Sequence, residues 1–195
     1  MKAPAQQPGY FDRLYAANPD PWGFEGNPYE DAKYAATVAA LPRPHYRSAL
    51  EVGCSIGMLT ARIAPACDAL LATDVADAAL ACAAERCASL PQVRFMRSAL
   101  PETAPNGRFD LILLSEVLYY FDRPALALVA RALSAVAEPG ADIVLVHWLG
   151  PTPDYPLNGD EAVEAFEENL PAATVIGRDR QEGYRLDVLR TAPAG

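Results

Sequence analysis

Leu50-Glu51-Val52-Gly53-Cys54-Ser55-Ile56-Gly57, residues 50–57, carries an apolar run into two glycines and then into an amphipathic stretch that reaches Ala64. The pattern predicts a strand, a tight turn and a helix start. Glycines let the backbone bend sharply and come close to a ligand, and the first amides of a helix favour a carboxylate. The run departs from G-x-G-x-x-G, because Ser55 holds the middle position and a third glycine is missing, so a dinucleotide pyrophosphate is less well served. The reading without a ligand is an ordinary strand-to-helix turn.

Outward from this junction, short apolar runs alternate with longer amphipathic ones. Strands are predicted over Ser48–Val52, Ala69–Thr73, Val93–Met96, Phe109–Leu114 and Ala141–Val146. Helices are predicted over Gly57–Ala64, Ala76–Ala88 and, capped by Asp122, up to Val136. Such alternation means a parallel, doubly wound sheet. The end differs: a helix near Asp160–Leu170 precedes two extended runs, Thr174–Arg178 and Tyr184–Leu189, separated by a turn around Gln181-Glu182-Gly183. Strands that close together pair antiparallel, since a parallel crossover needs about a dozen residues. Upstream, Tyr10–Ala17 reads as a short helix, and Asn27-Pro28-Tyr29-Glu30 as a capped helix start running to Leu41. The expectation is one domain over 1–195, with 1–44 a helical lid and 45–195 the core. That core is an α/β Rossmann-like doubly wound sheet of five parallel strands plus a C-terminal antiparallel hairpin. This is the pattern of class I methyltransferases, not of a dehydrogenase domain.

Composition narrows the partners. The 195 residues are 51% hydrophobic and 21% charged, which is globular, and the net charge is -9 with a pI near 4.7. So acidic a chain repels phosphate backbones, excludes nucleic acid as the expected partner and is compatible with an aminated substrate. No apolar run reaches the ~18 residues of a membrane span. Met1 to Gly9 lacks the apolar centre of a signal peptide. Cys54, Cys67, Cys82 and Cys87 form no CxxC pair, and only His45 and His147 could join them. No metal site and a reducing, cytoplasmic setting are expected. Nothing in the sequence speaks to the oligomeric state.

Ligands of open α/β sheets lie beyond the carboxyl ends of the strands. Asp74 ends the second strand, about twenty positions past Gly53, placed to take both hydroxyls of a ribose, or else to cap the helix after Ala76. Val75 adjoins it, and Ser98-Ala99-Leu100 after the third strand offers an apolar wall and a small polar group for adenine. Glu51, Gly53, Cys54, Ser55 and Gly57 form a narrow slot suited to the amino-acid end of S-adenosyl-L-methionine, and Ser115 closes the fourth strand. Trp22, Tyr29 and Lys33 stand in the N-terminal segment, expected to fold over that cofactor. Methyl transfer from a sulfonium needs the reacting atoms held ~3–3.5 Å apart and aligned. Where the nucleophile carries a proton, a base must take it. His147 just past the fifth strand, with Glu116 and Tyr119 past the fourth, are the candidates. Asp154, Tyr155 and Asp160 lie in a Pro-rich segment that could cover the acceptor, or simply be solvated.

Glu51-Val52-Gly53-Cys54-Ser55-Ile56-Gly57, with Ser115-Glu116-Val117-Leu118-Tyr119-Tyr120, resembles the rhizobial nodulation protein S family. Asp20-Pro21-Trp22 and Tyr29-Glu30-Asp31-Ala32-Lys33 resemble its N-terminal segment, so the likeness runs from about Tyr10 to Val146. The resemblance implies N-methylation of an amino sugar or related amine, with S-adenosyl-L-homocysteine as the second product. The residues alone require only a neutral nucleophile. The alternatives are a hydroxyl acceptor with His147 as base, a noncatalytic S-adenosylmethionine-binding subunit, and a nicotinamide-dependent oxidoreductase. A magnesium-dependent catechol type lacks its Asp/Asn cluster.

Overall fold

A computed structural model describes residues 9–194. The stretch Met1–Gly9, read above as lacking a signal peptide, lies outside the described residues except for Gly9.

One seven-stranded sheet organises the chain, in the order β3-β2-β1-β4-β5-β7-β6. Its strands are β1 (Ala49–Val52), β2 (Leu70–Asp74), β3 (Val93–Arg97), β4 (Phe109–Ser115), β5 (Ala137–Trp148), β6 (Ala173–Arg180) and β7 (Tyr184–Thr191). The first five pair parallel, and β7 joins β5 and β6 antiparallel. This is the arrangement expected from the sequence. The helices are α1 (Tyr10–Ala17), α2 (Pro28–Ala39), α3 (Met58–Ile63), α4 (Asp77–Arg86), α5 (Arg123–Val136) and α6 (Gly159–Glu168).

The central strands are apolar on both faces because both are covered. Leu50, Ile112, Leu114, Ile143 and Leu145 pack with Leu126, Val129 and Leu133 of α5 and Phe166 of α6. The alternate residues Leu111, Leu113, Val144 and Val146 pack on the other side with Tyr34, Leu59 and Ile63. Asp142, fully buried on β5, is matched by Arg190 at 2.8 Å, Tyr46 Oη at 2.9 Å and Arg43 at 3.1 Å.

Two local expectations shift. β5 begins at Ala137 rather than Ala141: Ala137 pairs with Phe109, and a bulge through Gly140 (φ +71°) precedes the pairing of Asp142 with Leu111. At α2, Asn27 caps Tyr29 and Glu30 as predicted, but Glu30 turns its carboxylate to Lys33 instead of closing a capping box. The box forms instead at α6, between Asn158 and Glu161. Among the described residues no helix is long and apolar enough to cross a membrane, and no cluster of three metal-ligating side chains occurs.

Candidate active site at the β1–β4 switch point

Strand order reverses between β1 and β4, and the carboxyl ends there open onto a cavity of about 1180 Å³ roofed by α1 and α2. Gly53 follows β1 with φ +75°, and a Cβ there would collide with the Val117 side chain, so only glycine allows the loops after β1 and β4 to meet. Ser55 follows at φ +50°; its amide donates to Asp74 Oδ2 at 2.9 Å and its hydroxyl meets Tyr15 Oη at 2.5 Å. Asp74 also accepts from the Ala76 amide at 3.0 Å. The carboxylate thus holds the turns on both sides of it. It fixes the turn that leads into α4 without capping the helix itself, and each carboxylate oxygen retains acceptor capacity on the cavity it lines. Burial raises its pKa, against the backbone N–H groups that lower it.

Glu51 is buried beside the same turn and accepts from Thr60 Oγ1 at 2.6 Å. Burial pushes its carboxyl up to about 7. Cys54, Val75, Ser98, Ala99, Leu100 and Ser115 line the same space. The Ser98 hydroxyl, however, donates to Thr103 O at 2.8 Å and so holds its own loop. Trp22 lines the cavity from an aromatic packing with Tyr15 and Phe24.

At the other end, Lys33 is 2% exposed and sits 2.6 Å from Glu116 Oε1 and 3.0 Å from each carboxylate oxygen of Glu30. Burial alone would lower its pKa, but the two carboxylates more than reverse this and hold it charged. Glu116 occupies the left-handed region (φ +57°), uncommon for a residue with a Cβ. Its Oε2 accepts from Tyr119 Oη at 2.9 Å and from the Trp148 amide at 2.8 Å. A carboxylate has about four acceptor positions. Lys33, Tyr119 and Trp148 fill three, which leaves capacity at Oε1. Tyr119 also stacks on Tyr155, 5.3 Å between centroids and 6° between planes.

Two expected site residues stand elsewhere. His147 is 0% exposed and does not line the cavity; its Nε2 accepts from the Leu118 amide at 3.1 Å. Burial lowers its pKa to about 3, so the ring is neutral and its acceptor nitrogen is engaged. A base role does not fit that position. Gly57 does not line the cavity either. A Cβ there would fall 2.9 Å from Ala83 Cα, so this glycine serves the close packing of α3 on α4. Tyr155 reaches the cavity but Asp154 and Asp160 do not. Asp160 is held by Arg180, at 2.7 and 2.9 Å, and by Arg185. Phe11, Tyr15, Glu30 and Arg97 line the cavity without having been foreseen. The i,i+4 aromatic pair Phe11 and Tyr15 on α1 was the available signal.

These residues fit an adenosyl sulfonium amino acid. Asp74 offers acceptors to a diol, and Glu51, poised near neutrality, can take an ammonium. The apolar wall at Ala99 and Leu100 faces the same cavity. The family model for Nodulation protein S (NodS) matches residues 9–144. The Nodulation protein S of Rhizobium tropici is 32% identical over 127 residues, 64% of this chain and 53% of that protein. The chain spans about half the length of the curated relatives it matches. Among solved structures, a putative methyltransferase from Pseudomonas syringae is 33% identical, with a TM-score of 0.74 over 83% of this chain and 98% of that one. The N-methyltransferase NodS of Bradyrhizobium japonicum WM9, in complex with S-adenosyl-L-homocysteine, is 24% identical. Its TM-score is 0.81 over 92% of this chain and 95% of its own.

Proposed function

The chain belongs to the nodulation protein S (NodS) family, and from that premise we propose that it is an S-adenosylmethionine-dependent N-methyltransferase whose acceptor is a small amine, an amino sugar or related compound. The observation that carries the amine is the charge of the cavity. Asp12, Glu30, Glu51, Asp74, Glu102, Glu116 and Asp122 line it against Lys33 and Arg97 among the described residues. Such a lining concentrates cations and repels carboxylates and phosphates.

S-adenosylmethionine, when bound, supplies an electrophilic methyl group on a cationic sulfur. Asp74 would hold the ribose hydroxyls, Glu51 the ammonium of the methionine portion, and Ala99 and Leu100 the adenine. Glu116 is the group for the acceptor. Its remaining capacity at Oε1 takes an N–H of the amine, directs the nitrogen lone pair away from the carboxylate, and stabilises positive charge as it grows on nitrogen. Lys33 and Tyr119 hold that carboxylate in place through their hydrogen bonds to it. A buried His147 leaves the hydroxyl-acceptor reading without its base.

The test is incubation with methyl-labelled S-adenosylmethionine and paired acceptors, D-glucosamine against D-glucose among them. Label should transfer to the amine and not to the alcohol, and Glu116→Gln should lower kcat/KM by about 10²–10⁴-fold. Tight binding of S-adenosylhomocysteine with no transfer to any amine would instead mark a noncatalytic binding subunit.

A further inference from the structure

Trp148 is the one large aromatic ring of the cavity that is both solvent-facing and held from two sides by glycine among the described residues. It ends β5, lines the cavity and stays 37% exposed. An exposed indole would ordinarily be mobile. Here Gly150 packs so closely that a Cβ would overlap the indole, and a Cβ at Gly183 would fall 3.0 Å from the ring and 2.5 Å from Tyr29 Oη. The Leu149 amide donates to Gly183 O at 2.9 Å, which ties the two glycine segments together. Tyr29, itself 40% exposed, meets the indole edge to face at 6.1 Å. The Trp148 backbone amide donates to Glu116 Oε2 at 2.8 Å, and Trp148 lines the same cavity as the carboxylate assigned to the acceptor nitrogen.

We infer that Trp148 is a specificity-determining platform on which the ring of a cyclic amine lies, while the amine reaches Glu116. This rests on the N-methyltransferase reading above. A rigid aromatic face attracts the C–H face of a saturated ring or another planar ring by dispersion, with little ordering cost because the platform is already fixed. An open-chain amine carries no face to match it. Trp148, Gly150 and Gly183 all lie beyond residues 9–144, the segment that the family model matches.

The test compares D-glucosamine with its ring-opened counterpart glucosaminitol, and cyclohexylamine with n-hexylamine, each with S-adenosylmethionine. The ratio of kcat/KM for ring over open-chain amine should fall at least ten-fold in Trp148→Ala, through KM, and return to within three-fold of the parent in Trp148→Phe. Gly150→Ala, which keeps the indole but displaces it, should reproduce the loss. An unchanged ratio in Trp148→Ala overturns the platform. Because the chain has two tryptophans, Trp22→Phe leaves Trp148 as the sole indole emitter. With S-adenosylhomocysteine present, the ring amines should shift its fluorescence and the open-chain amines should not. That shift without methylation of any amine would sink the methyltransferase reading and spare the platform. Equal responses to all four amines, or none, would sink the platform.

Discussion

Glu116 and His147 leave neighbouring strands at nearly the same level and do opposite work. Glu116 gathers Lys33, Tyr119 and the Trp148 amide at the cavity wall, whereas His147 turns inward and receives the Leu118 amide. The difference is not one of parity, since the pairing of Ser115 with Val146 puts both on the same alternation; His147 is still inside β5, whereas Glu116 follows the end of β4 in the left-handed region (φ +57°), where the alternation of a strand no longer holds. Sequence reading put both residues past strand ends and could not foresee that β5 runs on through His147 or that the backbone turns at Glu116. If His147 is a strut for the 118–120 turn, His147→Ala strands a buried N–H and leaves a hole, costing about 2–4 kcal/mol of stability. His147→Gln, which retains an acceptor, should recover about half of that. The folded fraction of either variant should keep kcat within about three-fold. Denaturant unfolding beside single-substrate kinetics checks this, and a hundred-fold loss of kcat with unaltered stability would restore the base.

At the scale of elements, the turn between β1 and α3 shows how two glycines four residues apart in one motif come to serve different ends. Gly53 relieves a collision between loops at the cavity floor, and Gly57 relieves one between helices α3 and α4. Gly57→Ala meets both a left-handed backbone, φ +80°, and the Ala83 backbone at 2.9 Å. The combined cost is about 2–4 kcal/mol. In a domain of this size that lowers Tm by roughly 5–12 °C. Affinity of the folded protein for S-adenosylhomocysteine, read by calorimetry, should stay within about three-fold; a far larger loss would return Gly57 to the cofactor. The parallel sheet and the terminal hairpin were legible because buried strands such as Phe109–Ser115 are nearly all apolar and because Gln181-Glu182-Gly183 is too short for a crossover. The Glu51, Gly53 and Asp74 end of the site was legible from spacing. Its roof was legible only in part: Trp22, Tyr29 and Lys33, expected over the cofactor, line the cavity, whereas Phe11 and Tyr15 make the same amphipathic stripe whether they cover a cavity or a core. Nor was the early start of β5, since Pro139-Gly140 reads as a turn although it forms a bulge within a strand.

Across the whole molecule, Glu51 and His147, buried groups displaced in opposite directions, should shape how stability varies with pH. Glu51 is raised from 4.5 to about 7 by burial, so the folded state holds its proton more tightly than the unfolded chain. Its contribution is complete below pH 4.5 and is lost as pH rises through 7. His147 is lowered from 6.5 to about 3, again by burial, so the unfolded chain binds its proton first. Its contribution is complete above pH 6.5 and is lost as pH falls toward 3. Between pH 4.5 and 6.5 the two slopes oppose each other at about 1.4 kcal/mol per pH unit each. The ligand-free protein should therefore show a nearly flat contribution from this pair across that window. Single variants unmask the components. In Glu51→Gln, stability should climb more steeply with pH from 4.5 to 6.5 than in the parent, because of this pair only His147 is left to titrate. In His147→Gln it should decline across the same range and on to pH 7. Urea unfolding at half-unit pH steps measures both, and parallel curves for the parent and the two variants would show that neither group titrates as its burial requires. An S-adenosylmethionine ammonium at Glu51 would favour the ionised carboxylate, so binding at pH 7 should also release a fraction of a proton, visible as buffer-dependent heats that vanish in Glu51→Gln.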